Sequence, residues 1–272
     1  MSLGLGELIW NKTLDNFLLQ EGYEAKERRY HVVISCWCGS GMVIPLPDKS
    51  LLYDHYLVCE ACGCLVVKYC LPVDDLKELY GARYFREHQL AIGLPPYNER
   101  FESDALDRIP VWIDVLKRHF SKGKLLEVGC AHGRFLQEAS KAGFDVVGLE
   151  LDEEICQWAK EKTKCDIRCA AIDDIENEHF DIVFANDILE HLYNPREFVR
   201  SVMNTLRYGG VAIFQTVVFQ SWEGCPGNML RPLFHPILYS RRSLDLLVNS
   251  GSGLVSVSPG AFDCFLVTVV KT

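Results

Sequence analysis

Short segments rich in apolar residues recur through the second half of the chain, at 125–128, 145–149, 166–170, 180–186 and 211–216. Runs of this length, rich in Val, Ile, Leu and Phe, suit strands buried on both faces. Between and after them lie stretches with helical spacing, at 134–142, up to 206–210, and at 241–249. Two further strand patterns, 253–258 and 264–271, follow the last helix. Strands that alternate with helices predict an α/β fold with a largely parallel sheet. The first hundred residues read differently, with a helix over 8–19, strands at 42–46 and 56–58, and short helices over 74–80 and 84–91. The pattern therefore divides the chain into an N-terminal module at 1–70, a helical linker at 71–107 and an α/β domain at 108–272.

The link between the first two buried strands carries the clearest chemistry. Residues 125–136 read LLEVGCAHGRFL and residues 145–152 read DVVGLELD. Gly129 and Gly133 let the backbone turn sharply against a ligand, and Glu127 closes the strand before them. Glu150 ends the second strand, where a carboxylate can accept two hydrogen bonds from ribose hydroxyls. A dinucleotide turn would place glycine at 129, 131 and 134, whereas this chain has Gly129, Ala131 and Arg134. A pyrophosphate would find this turn crowded.

With the acid included, the motif is Glu127-x-Gly129-x-Ala131-x-Gly133, and it resembles the first motif of the class I S-adenosylmethionine-dependent methyltransferases. FDIVFAN at 180–186, ILEHL at 188–192 and LRYGG at 206–210 match later landmarks of that family in order and spacing. The closing pair of strand patterns resembles the antiparallel hairpin that ends its sheet. The resemblance runs from about residue 104 to 272 and implies a Rossmann-like seven-stranded sheet with S-adenosyl-L-methionine as cofactor. It further implies that the turn carries the methionine end of the cofactor and Glu150, followed by Leu151, the ribose. Ala171, Ile172 and Asp173 (or Asp174) would border the adenine, and Asn186 the methionine moiety. Asn186 is followed by Asp-Ile-Leu and not by the Pro-Pro-aromatic of amine-methylating nucleic-acid enzymes.

Twelve cysteines mark the second feature, and six of them fall between 36 and 70. Cys36-x-Cys38 and Cys59-x-x-Cys62 are each followed by glycine, so both pairs sit in turns that can present thiolates to one tetrahedral zinc. Cys64 and Cys70 are spare ligands, and reduced unligated thiols or a disulfide are the alternatives. With the flanking strands, the cysteines define a small zinc-ribbon-like module. Such a module, then YGARYF at 80–85 and His88, then a cofactor domain, resembles ribbon-bearing methyltransferases of small metabolites, including nucleotide-linked sugars.

The remaining signals concern acceptor and location. A net charge of −9 argues against a large phosphate-binding surface, although Arg231, His235, Arg241 and Arg242 form a local basic patch. Residues 1–95 hold nine Lys and Arg against twelve Asp and Glu, which favours a small-molecule acceptor over RNA. The apolar runs are far shorter than the ~20 residues that span a bilayer, and the opening MSLGLGELIWNK lacks the pattern of a signal peptide, so a cytoplasmic chain is expected. His191, just past the fourth strand of the domain, and His235, in PLFHP, are the candidate catalytic bases. A helix-positioning role for His191 stays open. The reading is a methyltransferase acting on an O or C atom of a small molecule, sugar-like or related. The rivals are an RNA base methyltransferase with an N-terminal zinc module and a non-catalytic cofactor-binding protein with a docking ribbon.

Overall fold

The structure, a computed structural model, describes residues 3–20, 23, 26–46, 53–80, 89–91, 93–103, 106–175, 178–220, 225, 229–248, 253–259 and 264–272. It opens with a strand, β1 (Gly4–Trp10), and a helix, α1 (Lys12–Gln20), where a single helix over 8–19 was expected. Asn11 accounts for the difference. Its side-chain oxygen accepts from Leu14 N at 3.3 Å and its carbonyl from Asp15 N, so the helix can start only after it. The residues before Asn11 pair antiparallel with β2 (Arg29–Ser35).

Three short strands, β3 (Val43–Pro45), β4 (Tyr56–Cys59) and β5 (Leu65–Val67), form an antiparallel ribbon, and β6 (Tyr69–Cys70) returns to pair with β2. Helices α2 (Val73–Tyr80), α3 (Gln89–Ala91), α4 (Tyr97–Ser103) and α5 (Ile109–His119) lead into the α/β part. Residues 81–88 lie outside the described residues. They include Tyr84, Phe85, His88 and most of the helix expected over 84–91.

From residue 124 strands and helices alternate: β7 (Lys124–Val128), α6 (Arg134–Lys141), β8 (Asp145–Glu150), α7 (Glu153–Thr163), β9 (Asp166–Cys169), β10 (Phe180–Asn186), α8 (Pro195–Thr205) and β11 (Leu206–Phe219). After these come β12 (Ile237–Ser240), α9 (Arg241–Val248), β13 (Gly253–Pro259) and β14 (Cys264–Lys271). Seven of the strands lie in the order β9-β8-β7-β10-β11-β14-β13, with β14 antiparallel between β11 and β13 and the first five parallel. The chain leaves β7 toward β8 and returns on its other side as β10. Ligands bind at such a switch point, beyond the carboxyl ends of the strands.

Alternation along each strand fills both sides of the sheet. Leu125, Ile182, Phe184 and Ile213 pack with Trp112, Leu116, Phe135 and Leu136, and Leu126, Val183, Ala185 and Phe214 pack with Val199, Val202 and Leu247. Helix ends follow local rules: the Asp152 carboxylate accepts from the Glu154 and Ile155 amides to start α7, and Asn194 followed by Pro195 starts α8.

Strand β11 is longer than its apolar run at 211–216 suggests. Helix α8 ends at Thr205, and residues 206–210, expected to close a helix, already belong to the strand. A register shift opposite β10 and a left-handed Gly209 (φ 75°) absorb the extra length. At its other end Val218 and Phe219 pair with Tyr239 and Ser240 of β12, and β12 pairs antiparallel with β5. The cysteine-bearing ribbon is thus hydrogen-bonded into the same sheet as the α/β strands. Among the described residues no helix is long and apolar enough to cross a membrane.

Candidate functional site

The turn after β7 holds three successive odd-numbered residues in the left-handed region: Gly129 (φ 71°), Ala131 (φ 45°) and Gly133 (φ 74°). A side chain at 129 would meet Ile188 Cδ1 at 2.5 Å, and one at 133 would meet Ile167 Cδ1 at 2.9 Å. Glycine adopts this conformation without strain at both positions, and any side chain would also have to displace an isoleucine end. Ala131 tolerates the same conformation at a cost, and its amide donates to Glu150 Oε2 at 3.0 Å. The other Glu150 oxygen accepts from the amides of Leu151 (2.7 Å) and Asp152 (3.0 Å). Burial raises the Glu150 carboxyl while these three amides pull it back toward the ionised form. Leu151, next to it, is exposed.

Glu127 is fully enclosed, and its Oε2 has no hydrogen-bond partner. Burial, followed by the charge of Glu150, pushes its carboxyl well above the ordinary range. A buried orphan carboxylate is costly unless a cation or donor completes it. The α-ammonium of a methionine-type cofactor has that chemistry, and the neighbouring turn carries amides and glycines in place of bulk. The residues present fit S-adenosylmethionine.

A polar relay crosses the carboxyl ends of β10 and β11. Trp112 Nε1 donates to Gln215 Oε1 (2.7 Å), Gln215 Nε2 to Asn186 Oδ1 (2.6 Å), and Asn186 Nδ2 to Asp187 Oδ2 (3.0 Å). Arg108, stacked over the Trp112 ring, pairs with Asp187 at 3.6 Å. The relay fixes which face of the Asn186 amide is presented. On the β9 side, Ala171 and Asp173 are exposed and Ile172 is buried. Asp174, not Asp173, accepts from the Ala171 amide at 2.7 Å.

Beyond β10 the chain makes a tight turn, Leu189–His191. His191 Nδ1 lies 2.8 Å from the Phe234 carbonyl oxygen, which can only accept, so Nδ1 carries the proton. The Tyr80 hydroxyl donates to the same carbonyl at 2.7 Å and sits 3.0 Å from that nitrogen. His235 is buried, and its Nδ1 donates to the Met229 carbonyl at 2.8 Å. With Nδ1 facing a carbonyl in each ring, the neutral form of either ring carries its acceptor lone pair on Nε2. The rings meet edge to face with centroids 4.8 Å apart. Leu233, enclosed and left-handed at φ 79°, turns the backbone that aims the Phe234 carbonyl. Beneath the turn, Glu190 is fully enclosed and accepts from Thr216 Oγ1 at 2.9 Å. Burial, then Asp187, raises its carboxyl to about 8.

In the ribbon, Sγ atoms of Cys36, Cys38, Cys59 and Cys62 all lie within 4.8 Å of one another. Cys36–Cys62 and Cys38–Cys59 are 3.6 and 3.7 Å apart, against about 3.8 Å for four sulfurs at 2.3 Å from a tetrahedral zinc. Amides of Cys38, Ser40, Ala61, Cys62 and Cys64 point at these sulfurs. Gly39 (φ 95°) and Gly63 (φ 76°) make the turns that allow it. The donor set fits zinc. Cys64 adds a fifth enclosed thiol, 3.3 Å from Cys62 and 3.4 Å from Cys36, whereas Cys70 lies apart on β6.

The structure thus brings Glu127, Gly129, Ala131, Gly133 and Glu150 into one contact set, lines Asn186 along the same edge of the sheet, and joins His191 to His235. Gln215, Trp112, Arg108 and Tyr56 were not among the expected site residues, and Tyr80 was named only as the start of YGARYF. Of the first four only Gln215 had a signal, a single amide inside a largely apolar strand run. A cavity of about 430 Å³ lined by Gln220, Arg241, Arg242, Asp245 and Leu246 lies beyond β11 and takes in two arginines of the expected basic patch, but none of the turn residues.

Residues 126–214 match the methyltransferase domain family. A ubiquinone biosynthesis O-methyltransferase from Chromobacterium violaceum is 30% identical over 118 residues, 40% of this chain and 51% of that protein. The chain thus spans about half the length of the curated relatives it matches. Among solved structures, an O-methyltransferase family protein from Burkholderia thailandensis superposes with a TM-score of 0.52 at 14% identity, covering 64% of this chain and 62% of the other. The plantazolicin methyltransferase BpumL in complex with SAH gives 0.52 at 13%, covering 73% and 98%. Residues 126–214 thus match a methyltransferase domain, and the strand order around them is the fold of these solved structures.

Proposed function

We propose that the chain is an S-adenosylmethionine-dependent methyltransferase that modifies an oxygen or carbon atom of a small-molecule acceptor, and that Cys36, Cys38, Cys59 and Cys62 hold a structural zinc. The observation that carries the reading is the unpartnered Glu127 carboxyl beside a glycine turn whose amides are gathered on Glu150. S-adenosylmethionine supplies a methyl group on an already activated sulfonium. The protein's task is then to align the acceptor with that methyl and to take up a proton where the acceptor carries one. Glu127 and Asn186 meet the methionine end, Glu150 the ribose, and Leu151 and Ile172 the adenine. His191 or His235, each with Nδ1 held by a carbonyl, is the candidate base toward the acceptor. The O-methyltransferase named above favours oxygen over carbon. Net charge and the acidic ribbon disfavour nucleic acid.

Calorimetry with S-adenosylhomocysteine tests the cofactor half. Glu150→Ala is expected to weaken binding at least ~10-fold, since it removes a charge-assisted ribose contact, and an unchanged affinity would remove Glu150 from the site.

A further inference from the structure

We infer that the thiolate centre of the ribbon is the positioning element for the His191–His235 pair, so that metal occupancy sets the geometry of the acceptor side while leaving the cofactor turn alone. The inference rests on the zinc reading above. Two separate sets of contacts lead from the cysteines to the two rings.

The first runs to His235. Cys62 and Cys64 flank Gly63, and the Cys62 carbonyl accepts from Ser240 Oγ of β12 at 2.7 Å. Gly63 approaches the same serine so closely that a side chain there would lie 3.3 Å from its Oγ. β5 leaves this knuckle and pairs with β12 through Leu65–Leu238 and Val66–Ile237. Val67 N then donates to the Pro236 carbonyl at 3.0 Å. From β4, which ends on Cys59, the enclosed Tyr56 hydroxyl donates to the His235 carbonyl at 3.0 Å. Every backbone carbonyl or strand residue from 235 to 238 that these contacts reach is thus held by a strand attached to a cysteine turn.

The second runs to His191. Trp37, enclosed between Cys36 and Cys38, packs against the Tyr239 ring at 6.3 Å. The Tyr239 hydroxyl donates to the Leu189 carbonyl at 3.0 Å, in the same turn that ends on His191. By contrast, the hydrogen bonds of the turn at 129–133 and of Glu150 run to β8 and to each other and reach no cysteine of the ribbon, although Ile188 packs beside Gly129. A ribbon of strands three and four residues long has little core of its own, so a cross-link such as bound metal helps to hold its shape. Losing that cross-link loosens what is tied to it first.

The test uses the full chain, loaded with zinc and then stripped with a chelator. It reads zinc per chain, amide hydrogen exchange by peptide, and the ¹⁵N signals of the imidazole rings. Stripping is expected to speed exchange about tenfold or more in peptides covering 229–240 and 187–193, and to move both rings from the Nδ1–H form toward a mixture of tautomers. Protection over 124–150 and the affinity for S-adenosylhomocysteine should change less than ~2-fold. Zinc that binds and leaves with no change at 229–240 or in either ring overturns the inference while the metal reading stands. A chain that takes up no zinc overturns both. Should stripping unfold the protein outright, Tyr56→Phe and Tyr239→Phe leave the thiolates intact: the first should disturb the His235 signal and the second the His191 signal with zinc still bound. Unaltered rings in both variants overturn the inference.

Discussion

His191 and His235, from different segments, meet with their ring planes 70° apart, and each Nδ1 faces a main-chain carbonyl. In imidazoles so fixed, Nε2 is the nitrogen at which a neutral ring takes up a proton. His235→Ala or His191→Ala is therefore expected to slow methyl transfer on the order of 100-fold, the usual scale of general base loss. Affinity for S-adenosylhomocysteine should stay within a factor of about two, because neither ring belongs to the turn. Labelled methyl transfer to any acceptor that supports turnover, beside calorimetry, separates the two effects. Full activity in both variants would show that the pair handles no proton.

Glu127 leads to a prediction with two opposite signs. Its carboxyl is raised by burial and by Glu150, so the folded chain holds a proton that the unfolded chain releases above the ordinary value of 4.5. Stability from this group is present below that value and is lost as pH rises through the folded one. Glu127→Gln should thus raise the melting temperature of the ligand-free protein at pH 8 by several degrees, about 1–2 kcal/mol. The gain should vanish near pH 4. The same variant should bind S-adenosylhomocysteine more weakly, because the ammonium loses its counter-charge. A gain in both stability and affinity would contradict the assignment.

Gln215 tests the relay. Gln215→Leu keeps the volume but leaves Trp112 Nε1 and the Asn186 carbonyl without their buried partner. The expected cost is about 1–3 kcal/mol, read by denaturant midpoint. Affinity for S-adenosylhomocysteine should fall several-fold, on the order of 1 kcal/mol, as the Asn186 amide loses its fixed orientation. A midpoint shift with unchanged affinity would confine the relay to a structural role.

Much of this was legible in the residues, and the limits have physical causes. The glycine turn and Glu150 were readable because φ sign and close approach restrict residue type locally. The cysteine pairs were readable because a tetrahedral site needs turns of fixed length. The helix boundary at Asn11 was missed because apolar residues on both sides blurred a cap that depends on one side-chain hydrogen bond. The contacts of Trp112 and Tyr80 were missed because their partners lie 103 and 111 residues away, and period alone does not say what a buried aromatic's polar tip will find. The register of β12 on β5 was likewise invisible: each is a short apolar run that would pair with many others.

Metal content offers a further check. The purified chain should carry about one zinc, as four converging thiolates require. Cys62→Ser should lower that content and the melting temperature together. Cys64→Ser should spare the zinc if the fifth thiol is a neighbour and not a ligand. Loss of zinc in the Cys64 variant would redraw the ligand set.

The 14 residues of β11 also bear on how the molecule is made. β5 at residues 65–67 pairs with β4 locally but finds its second partner only when residues 237–240 have left the ribosome, so the ribbon keeps one open edge through most of synthesis. Its thiolates can collect a cation during that wait, before β12 reaches the edge. The last stretch of β11 and β12 then close the edge together, and the order of events is built into the direction of translation.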